Sequence, residues 1–208
     1  MTDTIRRLRL VLVWVALTAI VCVLGVVASA MPAAAAACSS GATMNFVAHE
    51  DDDLLFQNPM VLQRVQAGGC LRTVYVLAGD AGEEETYWGA REDGVEAAYA
   101  YMMGVADAWT TSDAGVPGHP IRLRTLTAAP NVSLAFMRLP DGAMDGGGFE
   151  RYDDESLQKL YAQTIPAIYA VDGSTQYSLD ELVATFTALM TAYQPNSVNT
   201  LDLSLIHI

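Results

Sequence analysis

Short β-branched apolar runs alternate with helix-patterned segments along this chain, and that alternation limits its possible folds more than any other feature. Met44-Asn45-Phe46-Val47-Ala48 reads as a buried strand. Residues 54–67 carry helical spacing, which Pro59 limits to a helix beginning near that proline, and Gly68-Gly69 ends it. Residues 71–78, rich in β-branched side chains, form a second strand closed by Gly79-Asp80-Ala81-Gly82. Residues 83–88 read as loop, 91–103 as a helix stopped by Gly104, and 113–120 as a Gly/Pro-rich loop. Residues 121–127 and 132–139 read as a hairpin turning at Pro130-Asn131. A helix over 153–163 is expected, capped by Asp153 or Asp154. A stronger one spans 179–193, with Ser178 as cap and Glu181 at the third helical position. Residues 197–201 begin a further strand. Parallel strands need a crossover between them, so this order predicts an α/β fold: a mainly parallel sheet with helices on both faces. Ligands in such sheets sit beyond the carboxyl ends of the strands. The segments after the first two strands should therefore be neighbours on one rim.

The first 37 residues stand apart from this pattern. Arg6, Arg7 and Arg9 precede an uncharged apolar run over residues 10–27, and Ala28-Ser29-Ala30 follows as a small-residue cleavage signal. Residues 1–37 read as an export leader, with an uncleaved membrane anchor as the alternative. The domain proper is expected over 38–202, secreted or extracytoplasmic, touching a membrane only through the leader if that is retained. Cys22 lies in the leader. Cys38 and Cys70 remain, each just before one of two adjacent parallel strands, so a disulfide between them is expected in an oxidising compartment. The 208 residues carry 11 Lys+Arg and a formal net charge of -13, which sets nucleic acid aside as a partner.

The first strand runs directly into His49-Glu50-Asp51-Asp52-Asp53. A histidine and a carboxylate three residues apart can reach one metal from a tight loop, and nitrogen with oxygen suits zinc. A further carboxylate beside the ligands can accept a proton from water. On this reading His49 and Asp52 are ligands and Asp51 is the base. Two alternatives stay open on the residues alone. One is a calcium loop, although the spacing is not that of an EF-hand and a histidine is out of place there. The other is a plain acidic turn.

The segment "VAHEDDDLLF" resembles the signature of the LmbE-like (PIG-L) family of zinc-dependent de-N-acetylases, usually Ala-His-Pro-Asp-Asp-Glu. Glu50 replaces the proline and Asp53 the final glutamate. "TVYVLAGDAG" resembles the family's second strand and its Gly-Asp-x-Gly loop, and "YWGARED" the opening of a helix with a substrate-contacting arginine, here Arg91. "RLPDG", with Asp141, resembles a loop near the substrate cleft. The resemblance implies a Rossmann-like three-layer fold and a zinc ion (Zn2+) held by His49 and Asp52. It implies Asp51 as the base for a zinc-activated water, and Arg91 and Asp141 as substrate-binding. The implied reaction removes acetyl from an N-acetylated sugar of the N-acetylglucosamine type. The leader and the cysteine pair fit an exported bacterial branch. An exported, metal-dependent carbohydrate-binding module without catalysis is the contrasting reading; Asp51 argues against it, since a pure binder has no use for a base.

The family implies a third ligand, a histidine late in the chain, after a strand that "QPNSVNTLD" resembles. His119 lies in a Gly-Pro loop and reads as a surface residue. His207 lies in "LSLIHI", residues 203–208, which is also what a common sequencing-library transposase adapter encodes in frame. Residues 203–208 are therefore read as a non-native tail on an incomplete domain, with a genuine apolar strand as the alternative. A chain keeping two of three ligands is expected to hold zinc weakly and to be impaired in turnover.

Overall fold

The strand–helix alternation folds as crossovers on a single sheet. The computed structural model describes residues 38 and 40–201. In chain order these form β1 (Ala42–Val47), α1 (Asp52–Phe56), α2 (Met60–Gln66), β2 (Cys70–Leu77), α3 (Glu85–Met103), β3 (Trp109–Asp113), β4 (Arg122–Leu126), β5 (Val132–Leu139), α4 (Leu157–Tyr161), β6 (Ile168–Tyr169), β7 (Gln176–Tyr177), α5 (Leu179–Tyr193) and β8 (Ser197–Thr200). Six strands make one sheet in the order β3-β4-β5-β2-β1-β8. β8, β1, β2 and β5 run parallel, whereas β3 and β4 add an antiparallel edge. β6 and β7 pair separately as a small hairpin.

Alternation along the strands builds two apolar layers. Val74 and Val76 face a cluster that includes Leu160 of α4 and Leu182 and Leu189 of α5. Leu71 and Tyr75 face Val61 and Val65 of α2 and Val95 and Tyr99 of α3. Burial on both faces explains the almost unbroken apolar composition of β2 and β5. The expected α/β three-layer architecture is therefore present: a mainly parallel sheet with helices on both sides.

α3 lacks a simple apolar stripe because its buried face carries Glu92 and Glu96. Sheet arginines match them. Arg138 donates to Glu92 through Nε and Nη2 at 2.7 and 2.8 Å, Arg122 adds a bond at 2.6 Å, and Arg124 forks onto Glu96 at 2.7 and 2.6 Å. Charged groups this deep need such pairing, because an unpaired carboxylate loses its hydration with no return.

Several boundaries differ from the sequence expectation. The helix expected to begin near Pro59 is α2, with Pro59 at its N-cap, but the short α1 before it, over Asp52–Phe56, was not foreseen. α3 starts at Glu85 rather than Arg91, since its acidic first turn carries no apolar periodicity to announce it. The helix expected over 153–163 shrinks to α4: Asp153 and Asp154 adopt φ of 55 and 53°, which a right-handed helix does not accommodate, and Ser156 is the cap, its Oγ accepting from the Lys159 N–H at 3.1 Å. β3 falls outside the predicted strands because its Thr, Ser and Asp residues are mostly exposed at a sheet edge. The capping box at α5 is present: Ser178 accepts from the Glu181 N–H, and Glu181 accepts from the Ser178 N–H at 2.8 Å.

Cys38 and Cys70 are joined by a disulfide with a Cα–Cα separation of 5.0 Å. Cys70 opens β2 directly opposite Ala42 of β1, so the bridge ties two neighbouring strand starts, as parallel pairing predicts. The proposed leader (1–37), the tail (203–208) and His207 lie outside the described residues. Among the described residues, no helix is long and apolar enough to cross a membrane.

Candidate active site

β1 stops at Val47 and the chain turns sharply over His49. The Asp52 carboxylate accepts the His49 backbone N–H at 2.8 Å, and Asp52 N donates to the His49 carbonyl at 3.3 Å. This closed turn brings the His49 ring and the Asp52 carboxylate onto one side, with Nδ1 3.6 Å from Oδ2. Asp141, in the loop after β5, approaches from the other side, with Oδ1 3.4 Å from Nε2. The imidazole is thus flanked by one carboxylate at each nitrogen.

Asp141 is placed by a residue of the neighbouring loop. Asp80, at the end of β2 and fully buried, accepts the Asp141 backbone N–H at 2.7 Å with one oxygen and the Gly82 N–H at 2.7 Å with the other. The loops after β1, β2 and β5 therefore meet at the carboxyl ends of three adjacent parallel strands. That is the rim the strand order predicts.

The four acids after His49 go to different environments. Asp51 is exposed, and Arg91 Nη2 donates to it at 3.2 Å. Glu50 is buried and receives Arg91 Nε at 3.1 Å. Asp53 is fully buried and accepts hydrogen bonds from Tyr75, at 3.0 Å, and from Tyr99. Behind Asp53 the bonds continue across the sheet. Because Tyr99 donates to Asp53, its oxygen accepts from Thr73 at 2.9 Å; Thr73 accepts from Asn45 at 3.4 Å, and Asn45 from Asn199 at 2.9 Å. Each group donates to the next, and the chain ends on a carboxylate.

Charge follows from these contacts. Burial opposes a charged ring at His49, but Asp141 and Asp52 prevail and lift it to about 10. Burial would raise Asp52 and Asp141, yet the bond to His49 holds both below the usual carboxylate range. At Asp53, burial outweighs the two tyrosine hydroxyls and raises the carboxyl to about 6. Burial likewise pushes Glu50 up, with Arg91 opposing.

The cluster stabilises positive charge on the histidine ring. Imidazole nitrogen with carboxylate oxygen on a tight loop matches zinc donors in kind. Metal binding would require the neutral ring, so cation and proton compete there. In number, His49 and Asp52 supply two donors; among the described residues no group of three or more His, Cys, Asp or Glu side chains is arranged to hold a metal. His119 lies elsewhere, stacked on Tyr177 with ring centroids 4.6 Å apart and Nδ1 3.1 Å from Thr175 Oγ1.

Of the residues singled out from the sequence, His49, Asp51, Asp52, Arg91 and Asp141 come together, whereas Cys38 and Cys70 lie at the opposite ends of the strands. Asp80, Glu50 and Asp53 were given no role as ligand, base or substrate contact. Asp80 carried a signal, an acid inside a Gly-x-x-Gly turn at a strand end. The contacts of Glu50 and Asp53 depend on partners 41 and 46 residues away, which no local pattern reveals. An apolar groove of about 820 Å³ lies between the Met144–Gly146 loop, α4 and α5, and none of the clustered residues lines it. The site is therefore located by its convergent polar groups rather than by cavity size.

The site is thus a histidine–carboxylate loop at the end of the first strand of a mainly parallel α/β sheet. A sequence model of the GlcNAc-PI de-N-acetylase (PIG-L) family matches residues 44–208, and the chain belongs to that family. Its members are de-N-acetylases, hydrolases whose substrates are of the N-acetylglucosamine type. No curated protein and no solved structure matches the chain.

Proposed function

We propose that this protein is an exported, zinc-dependent hydrolase that removes the acetyl group from an N-acetylated sugar. The observation that carries the reading is the convergence of His49, Asp52 and Asp141 beside an exposed Asp51 and Arg91. Bound by His49 and Asp52, zinc would supply a Lewis acid that lowers the pKa of water and offsets negative charge on the acetamide oxygen. Asp51, free of the ligand pair and open to solvent, takes the proton of the attacking water. It returns that proton to the departing nitrogen as the amide C–N bond breaks, giving acetate and a free amine. Arg91 and Asp141 hold the sugar, and the Asp141 carboxylate also orients the His49 ring. Export is supported by the tripartite leader and by the Cys38–Cys70 bridge, which suits an oxidising compartment.

Turnover is expected to depend on zinc and to rise as zinc is added. The test is acetate release from N-acetylglucosaminides by the full chain, in excess zinc and after chelation. Release that chelation leaves unchanged would overturn the zinc assignment. No release at any zinc concentration, together with measurable sugar binding, would favour a carbohydrate-binding module.

A further inference from the structure

Arg91 serves two acids at once. Its Nε donates to Glu50 at 3.1 Å and its Nη2 to Asp51 at 3.2 Å. The two differ sharply in setting: the Glu50 side chain is 3% exposed and that of Asp51 57%. The guanidinium thus bridges a buried anchor and the exposed base.

The surroundings are shaped for this pair. Gly79, at the end of β2, has φ +58°, and a Cβ built there would fall 2.6 Å from both Arg91 Nε and Glu50 Oε2. Any side chain at position 79 would push the ion pair apart. The other Glu50 oxygen, Oε1, is buried with no hydrogen-bond partner among the described residues. Leaving a buried carboxylate half satisfied opposes stability, so tighter folding does not explain its presence. Proline, which the related signature carries at this position, would stiffen the loop through its fixed φ but offer no acceptor for Arg91. Glu50 instead ties the loop to α3 through a charged hydrogen bond.

We propose that Glu50 is a positioning residue: it holds Arg91 over Gly79 so that the guanidinium faces Asp51 and the bound sugar. The catalytic consequence rests on the deacetylase reading; the placement of Arg91 does not.

The test uses the full chain and a double-mutant cycle. Glu50→Gln preserves shape and exchanges the carboxyl acceptor for an amide oxygen, a weaker partner for the guanidinium. It should raise KM for an N-acetylglucosaminide by about tenfold with a smaller fall in kcat, in the direction of Arg91→Ala. In the Arg91→Ala background it should add nothing, because Glu50 then has no guanidinium to place. Penalties that add would overturn the proposal. A second readout needs no turnover. In protein labelled with 15N-arginine, the Arg91 Nε–Hε signal, assigned by its loss in Arg91→Lys, should exchange slowly in the wild type and lose that protection in Glu50→Gln. A wild-type signal exchanging as fast as free arginine would overturn the proposal even if the Glu50 variant fails to fold. Unchanged protection in Glu50→Gln would do the same. If no variant or wild type releases acetate, the deacetylase reading falls, and the exchange data alone decide the placement of Arg91.

Discussion

The fully buried carboxylate of Asp80 accepts the backbone N–H of Asp141 at 2.7 Å, joining the loop after β2 to the loop after β5. That bond sets how close Asp141 stands to the His49 ring. Asp80→Asn would turn an amide towards one of two backbone donors. It should lower stability by about 1–3 kcal/mol, the usual effect of leaving a buried polar group unpaired. Urea unfolding measures this loss, and deacetylase kcat/KM should fall alongside it. Wild-type values of both would remove Asp80 from the site.

Asp51 and His49 should separate metal binding from turnover. Asp51→Asn is expected to keep zinc and to lose about 10²–10⁴-fold in rate, the range for a positioned general base. His49→Ala should lose zinc as well. Metal content by atomic emission, measured beside acetate release, distinguishes the two outcomes. An active Asp51→Asn enzyme would reassign the base.

Acid stability should depend on Asp172. Its carboxylate accepts the Ser174 N–H at 2.9 Å and Arg138 Nη1 at 2.7 Å. Burial works the other way, but these bonds hold the group below the ordinary carboxylate range. A folded pKa below the unfolded one stabilises the protein above the unfolded value, and that contribution is lost as pH falls through the folded value. Asp172→Asn should therefore be less stable than wild type near neutral pH. In urea titrations the gap should close as pH falls below the ordinary carboxylate range and through the folded value. A gap that is constant with pH would mean that the bond to Arg138 does not depend on charge.

The Cys38–Cys70 bridge spans 32 positions of sequence, and its removal should lower stability by about 3.7 kcal/mol in the chain-entropy account. Cys38→Ser with Cys70→Ser tests this by denaturant midpoint. The bridge lies at the strand starts and the clustered acids at the strand ends, so KM should not move. Two reactive thiols on folded, unreduced wild-type protein would rule the bridge out.

Periodicity and punctuation made much of the fold legible. β2 announces itself by its β-branched residues, β5 by a mostly apolar run, and α5 by its capping box. β3 gave no such signal, because an exposed edge of Thr and Ser has no apolar alternation. The helix expected at Asp153 was misplaced, because left-handed conformations at Asp153 and Asp154 are not visible in residue type. The site was legible where it is local: His49, Asp51 and Asp52 sit within one turn. It was not legible where it depends on distant partners, as for Glu50 with Arg91, Asp53 with Tyr99, and Asp80 with Asp141.

The polar chain from Asn199 through Asn45, Thr73 and Tyr99 to Asp53 also bears on how the sheet avoids assembling wrongly. Asn199, Asn45 and Thr73 stand directly opposite one another on three neighbouring strands. If any one strand slipped by a single residue, its polar side chain would turn to the other face and meet hydrocarbon, and the groups on either side would lose their partners. Alternating aliphatic residues resist such a slip only by degrees, since one branched side chain fills the space of another tolerably well. A donor facing no acceptor is a discrete fault. The centre of this sheet therefore carries its own check on alignment, and the check ends on the carboxylate next to Asp52.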